Sequence, residues 1–194
     1  MKKSTILNKG KSIILSPEIL DKIRKNKLKT IIIPVFNKEI YEPGDLLYCK
    51  ESYYVIPIKY KDDIKLGSKD YVIDNDFIYL YDNSSSKILK SDDVKFFSIK
   101  QCAKNRTRTY LNVISSCICN IDSVSNSESM MKSLNCKNKE NLIILWDNTI
   151  NYYLALNTRN ELHKIRLYKQ QYSFENNPMV QVLTIDNITS TLND

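Results

Sequence analysis

The run from Thr109 to Ile121 reads Thr-Tyr-Leu-Asn-Val-Ile-Ser-Ser-Cys-Ile-Cys-Asn-Ile. Residues of this kind suit a pleated, half-buried surface. The run predicts one long strand, and the N–H and C=O groups of such a strand oblige the chain to build a sheet. Shorter β patterns surround it at residues 11–15, 30–36, 46–51 and 53–60. Pro34 marks its strand for an edge or a bulge, because proline cannot donate to a central ladder. Residues 71–73 and 77–81 read as a hairpin turned by Asp74-Asn75-Asp76. Residues 152–156, 165–168 and 179–185 read as closing strands.

Helix signals are fewer. Ser16-Pro17-Glu18 supplies a capping hydroxyl, a first-turn proline and an acid at the positive dipole end. Ile19, Leu20 and Ile23 follow at helical spacing, and the helix should fade near Asn26. Ser125-x-x-Glu128 fits a capping box before a short helix through Met130, Met131 and Leu134. Residues 139–150 predict a second helix around Leu142, Leu145 and Trp146. Glu42-Pro43-Gly44-Asp45 is a turn. Many short strands with a few short helices predict an α+β fold, a small β-barrel with flanking helices. The 194 residues suit one domain, 1–194.

Charge is concentrated at one end. Residues 1–30 hold nine Lys/Arg and two acids, so the whole net charge of +7 sits there. Such an end favours an anionic partner, most often nucleic acid. Heavy use of Ile, Lys, Asn and Tyr also fits an AT-rich coding genome, which raises lysine content without function. A second basic cluster is Lys100, Lys104, Arg106 and Arg108, with no acid among residues 100–110. No apolar run approaches the ~18 residues of a membrane span. No secretory leader is visible, so the expectation is a cytoplasmic protein without membrane contact. Five cysteines are an odd number, and Cys117-x-Cys119 would place both thiols on one strand face. Without a second knuckle, free thiols are expected and no metal site.

Several chemistries are excluded. Three glycines build no phosphate loop, and neither GxxxxGK[ST] nor GxGxxG occurs. No GxSxG elbow is present. His163, the single histidine, has no identifiable nucleophile beside it. The acid pairs Asp62-Asp63 and Asp92-Asp93 lie in polar loops. No cofactor is expected.

Four patterns occur in order: Ile14-Leu15-Ser16 leading to Leu28-Lys29-Thr30; Pro43-Gly44-Asp45-Leu46-Leu47-Tyr48-Cys49-Lys50-Glu51; Arg108-Thr109-Tyr110-Leu111-Asn112-Val113; and Leu145-Trp146-Asp147-Asn148-Thr149-Ile150 with Asn177-Pro178-Met179-Val180. Together they resemble the ASCH domain of the PUA-like superfamily, in its phage- and prophage-type branch. The resemblance covers about residues 12–188, with 61–100 and 151–175 as poorly matching insertions. It implies a β-barrel with flanking helices, a cleft beside it, and RNA or a modified nucleoside as ligand.

Some small members of that family resemble amidohydrolases that deacetylate N4-acetylcytidine with a Lys, a Thr and a Glu. The Lys falls on Lys29, but the Thr falls on Ile32 and the Glu near Lys132. Ile32 offers no nucleophilic oxygen and Lys132 no carboxylate base. Lys27 and Leu28 replace a glycine and an arginine, and Tyr48 replaces a tryptophan that could stack on a base. Lys50-Glu51 replaces Arg-Glu, keeping charge but losing the bidentate fork. Met179 stands where the family has an aromatic residue.

The resulting expectation is an RNA- or nucleotide-binding module, non-catalytic, using Lys29, Thr30, Tyr48, Lys50, Glu51, Lys104, Arg106 and Arg108. Tyr110 and Trp146 are further stacking candidates, although Trp146 also suits a core. Arg108 could instead hold a carboxylate such as Glu51. One alternative is a ribonuclease or nucleoside amidohydrolase with a relocated site drawn from Lys29, Tyr48, Lys50, Glu51 and Arg108. Another is a protein-interaction module of phage or mobile-element origin, contacting a protein partner through residues 61–93.

Overall fold

The computed structural model describes residues 10–35, 40–64, 71–81, 92–102, 106–157 and 162–188. Their strands are β1 (Lys11–Ile14), β2 (Thr30–Pro34), β3 (Leu46–Lys50), β4 (Tyr53–Pro57), β5 (Tyr71–Asp74), β6 (Phe77–Leu80), β7 (Lys95–Phe97), β8 (Tyr110–Asn120) and β9 (Met179–Asn187). Their helices are α1 (Pro17–Arg24), α2 (Ile121–Ser125), α3 (Glu128–Ser133), α4 (Lys139–Asn157) and α5 (Leu162–Gln171). The class is α+β. The strands form two open sheets, ordered β1-β3-β8-β9-β2 and β5-β6-β4-β7, in place of the closed barrel expected from the sequence. Chain contacts divide into two compact units, Met1–Tyr48 with Thr109–Asp194, and Cys49–Arg108. The stretch 61–100 falls inside the second unit. No helix among the described residues is long and apolar enough to cross a membrane.

In the first unit, β8 and β9 pair antiparallel from Leu111↔Asn187 to Asn120↔Met179. The ladder shifts by one residue between Val113 and Ser115, a bulge at Ile114. β3 follows β8 only from Tyr110 to Asn112, so the sheet cannot wrap around the outer half of β8. β2 is an edge strand, which is where Pro34 can be tolerated. Ile32, Val180 and Val182 share a buried cluster with Val124, Leu134, Leu142, Trp146, Ile150 and Leu154, so the helices α2–α4 pack on that sheet face. Trp146 is fully buried and its indole Nε1 donates to the Tyr172 carbonyl at 2.8 Å. It is a core residue, and Tyr110 is buried too, so neither is placed to stack on a base.

Local signals account for several ends. The Ser16 hydroxyl accepts from Ile19 N at 3.4 Å and caps α1 as expected. The expected capping box at Ser125 is not formed. Ser125 ends α2 and donates to the Asp122 carbonyl, while Ser127 caps α3 by accepting from Met130 N. Residues 152–156 and 165–168 are helical rather than strands. Leu142, Trp146, Ile150 and Leu154 recur every four residues along α4, and that buried stripe overrides the β-favouring Tyr152-Tyr153 pair.

The second unit is built on β4, flanked by β6 and β7, with β5 outside β6. The hairpin expected at residues 71–81 is present, with Asp74 opposite Phe77. Its turn places Asn75 at φ 52°, a conformation asparagine accepts more readily than most residues. Ile56, Ile78 and Leu80 are buried on one face. On the other, Tyr53 stacks on Phe97 with ring centroids 5.2 Å apart and packs against Tyr79 and Tyr81.

Candidate functional site

Two helix ends in the first unit terminate in the same way. After α1, Lys27 N donates to the Lys22 carbonyl at 2.8 Å and Asn26 N donates to Ile23 O at 2.9 Å. After α3, Cys136 N donates to Met131 O at 2.8 Å and Asn135 N donates to Lys132 O at 3.1 Å. Both are Schellman turns, and the left-handed positions are Asn26 (φ 54°) and Asn135 (φ 57°). The Asn135 amide then donates to the Lys27 carbonyl at 3.2 Å, so one turn is fastened to the other.

These turns wall a cleft of about 360 Å³, at the lower end of small-ligand sites. Strand β2 contributes Thr30, Ile31 and Ile32. Helix α4 contributes Asn141, Ile144, Leu145 and Asn148, a spacing that puts all four on one helix face. The rim carries Glu18, Lys22 and Lys27. Apolar lining on the α4 side comes from Ile32, Ile144 and Leu145, with Ile19 and Leu28 beside them. Asparagine amides add both donors and acceptors.

The basic segment is less cationic than its count suggests. Lys22 is paired with Glu18 at 2.7 Å and Lys25 with Asp21 at 2.8 Å, one helical turn apart. The Lys25 bond holds the Asp21 carboxyl below its usual range. Arg24 Nε donates to the Thr109 hydroxyl at 2.7 Å. Lys27 makes no ion pair among the described residues and is the cation left at the rim.

Ile32 lines the cleft where the family pattern would place a threonine. Cys136 also lines it, but burial pushes its thiol up, so it stays protonated and weakly nucleophilic at neutral pH. Among the described residues, no three His, Cys, Asp or Glu side chains converge to hold a metal ion. The side chains of Cys117 and Cys119 interact on one face of β8, as their spacing predicts.

The sequence-selected residues separate. Lys29 is exposed and does not line the cleft, whereas its neighbour Thr30 does. Tyr48 is half-buried in β3. Lys50, Glu51, Arg106 and Arg108 belong to the second unit. Lys104 lies outside the described residues. Within the second unit, Arg108 pairs with Glu51 at 2.8 Å and covers the Tyr81 ring at 3.8 Å. Arg106 pairs with Asp74 at 2.7 Å and covers the Tyr79 ring at 4.0 Å. The Tyr81 phenol, pushed far up by burial, donates to the Arg106 carbonyl at 2.9 Å. Both guanidiniums are therefore committed to carboxylates and rings of their own unit.

Sequence reasoning missed Asn135, Asn141, Ile144 and Asn148. Asparagines just beyond helix ends were the available signal, since asparagine is the commonest substitute for glycine at a left-handed cap. No protein-family model, curated protein or solved structure matches the chain.

Proposed function

We propose that this chain is a non-catalytic RNA- or nucleotide-binding module of ASCH/PUA-like kinship, whose cleft takes a nucleoside. The kinship rests on the four ordered sequence patterns. The reading is carried by one coincidence. Thr30 and Ile32, which sit in and beside the family's Lys-Thr pattern, line the 360 Å³ cleft that Lys27 borders. A base would lie against Ile32, Ile144 and Leu145 with its edge toward the asparagine amides. Lys27 would hold one phosphate. Charge already neutralised within α1 leaves few cations for the backbone, so the contact is narrow.

Filter binding of single-stranded RNA across a salt series tests this. Each neutralised phosphate contributes about −0.7 to the slope of log affinity against log salt on single strands, so with one phosphate held the expected slope is about −0.7. Lys27→Glu should abolish binding at moderate salt, while Lys132→Glu, outside the cleft, should leave it nearly unchanged. No affinity at low salt, or affinity that ignores salt, overturns the reading.

A further inference from the structure

Beyond Asn112, β8 has no strand on the β3 side among the described residues, although its other side is paired with β9 as far as Asn120. The direction of its free backbone groups follows from neighbouring bonds. Ile188 N donates to Tyr110 O, and Ile185 N donates to Lys29 O. Even-numbered residues of β9 therefore turn toward β8, and odd-numbered ones toward β2. Ser115, Cys117 and Cys119 lie opposite Thr184, Val182 and Val180. The intervening Ser116 and Ile118 consequently turn their N–H and C=O away from β9, to the open side.

Natural edge strands are blunted by lysine, proline or covering elements. This one carries no charge and no proline between Arg108 and Asp122. Its isoleucines are exposed, Ile114 at 53% and Ile118 at 38%. The bulge at Ile114 is its one protective feature, and it lies at the start of the open stretch.

We infer that this edge pairs antiparallel with the same edge of a second copy of the chain, about a two-fold axis at Ser116. A two-fold contact must be self-complementary. Centred on Ser116, the register sets Ile114 opposite Ile118 of the second copy, and Ile118 opposite its Ile114. Two β-branched pairs thus form by one symmetry operation. Ser115 falls opposite Cys117 of the second copy, small polar against small polar. No like charges meet, because the stretch has none. Ser116 would exchange both backbone bonds with its own symmetry mate, in keeping with the outward direction of its N–H and C=O. The two five-stranded sheets then run on as one. A foreign strand could use the same groups, but the mirrored isoleucines favour the chain itself.

Sedimentation equilibrium of the full chain under reducing conditions should give a dimer. Ile118→Lys places a charge at an already exposed position and should give a monomer with unchanged circular dichroism. A second variant guards against misfolding. Residues opposite one another in a hydrogen-bonded pair have Cα atoms about 5.5 Å apart, within disulfide range. Ser116→Cys should therefore yield a covalent dimer on mild oxidation, with the cross-link mapped to position 116 in both chains. A wild-type chain that sediments as a monomer at high concentration overturns the inference. So does a dimer that survives Ile118→Lys, or a cross-link that maps elsewhere.

Discussion

The side chain of Asn135 donates to the Lys27 carbonyl at 3.2 Å, tying the turn after α3 to the turn after α1. Two left-handed asparagines, 109 positions apart, thereby fix the mouth of one cleft.

Asn135→Ala should be more damaging than Asn135→Gly. Alanine meets the left-handed penalty of about 1–2 kcal/mol and also loses the bond to Lys27. Glycine loses the bond but accepts the backbone, so its cost should stay near 1 kcal/mol. Urea unfolding of the two variants measures the difference. Equal costs would show that backbone conformation at position 135 is unimportant.

The Arg108–Glu51 pair is a folding element of the second unit. Its side chains are 16% and 11% exposed, and the guanidinium also covers Tyr81. Removing one partner of a buried pair typically costs about 3–5 kcal/mol, because the other charge is stranded. Arg108→Ala should therefore destabilise strongly. Arg108→Lys should recover only part of the loss, having neither the fork nor the flat face. Equilibrium unfolding followed by tyrosine fluorescence reads both.

Asp45 contributes to the acid sensitivity of the first unit. Burial works to raise its pKa, but the Glu42 N–H at 2.7 Å and the Lys11 ammonium at 2.6 Å outweigh it and hold the carboxyl below its usual value of 3.8. A folded-state value below the unfolded one means the carboxylate form favours folding. The contribution is complete above the unfolded pKa and is lost as pH falls through the lower folded value. Unfolding midpoints should fall between about pH 5 and pH 2 in the wild type. Asp45→Asn should remove that part of the slope. An unchanged slope would mean that other carboxylates dominate.

The sequence made legible those features whose signals are local. The α1 cap at Ser16, the 71–81 hairpin and the edge position of Pro34 each depend on a few adjacent residues, and each is present. What failed depends on distance. Tyr152-Tyr153 looks like strand until the buried stripe from Leu142 to Leu154 is seen to continue through it. Charge counting put weight on residues 1–30 and on the cluster with Arg106 and Arg108, yet Lys22, Lys25, Arg106 and Arg108 are each matched by a carboxylate. For α1 the partners sit one turn away and could be read. Glu51, 57 positions from Arg108, was legible as a possible partner and is the one the structure supplies, whereas Asp74, 32 positions from Arg106, could not be read. Asn141 and Asn148 carried no local sign of a cleft, because only the fold puts them beside β2.

The central claim is that the cleft beside Lys27 receives a nucleoside. Nitrogen-15 chemical-shift mapping during titration with nucleoside monophosphates tests it most directly. The expected result is saturable shifts concentrated at Lys27, Thr30, Asn135 and Ile144, lost in Lys27→Glu. A spectrum unmoved by every nucleotide, or shifts confined to Cys49–Arg108, would contradict it.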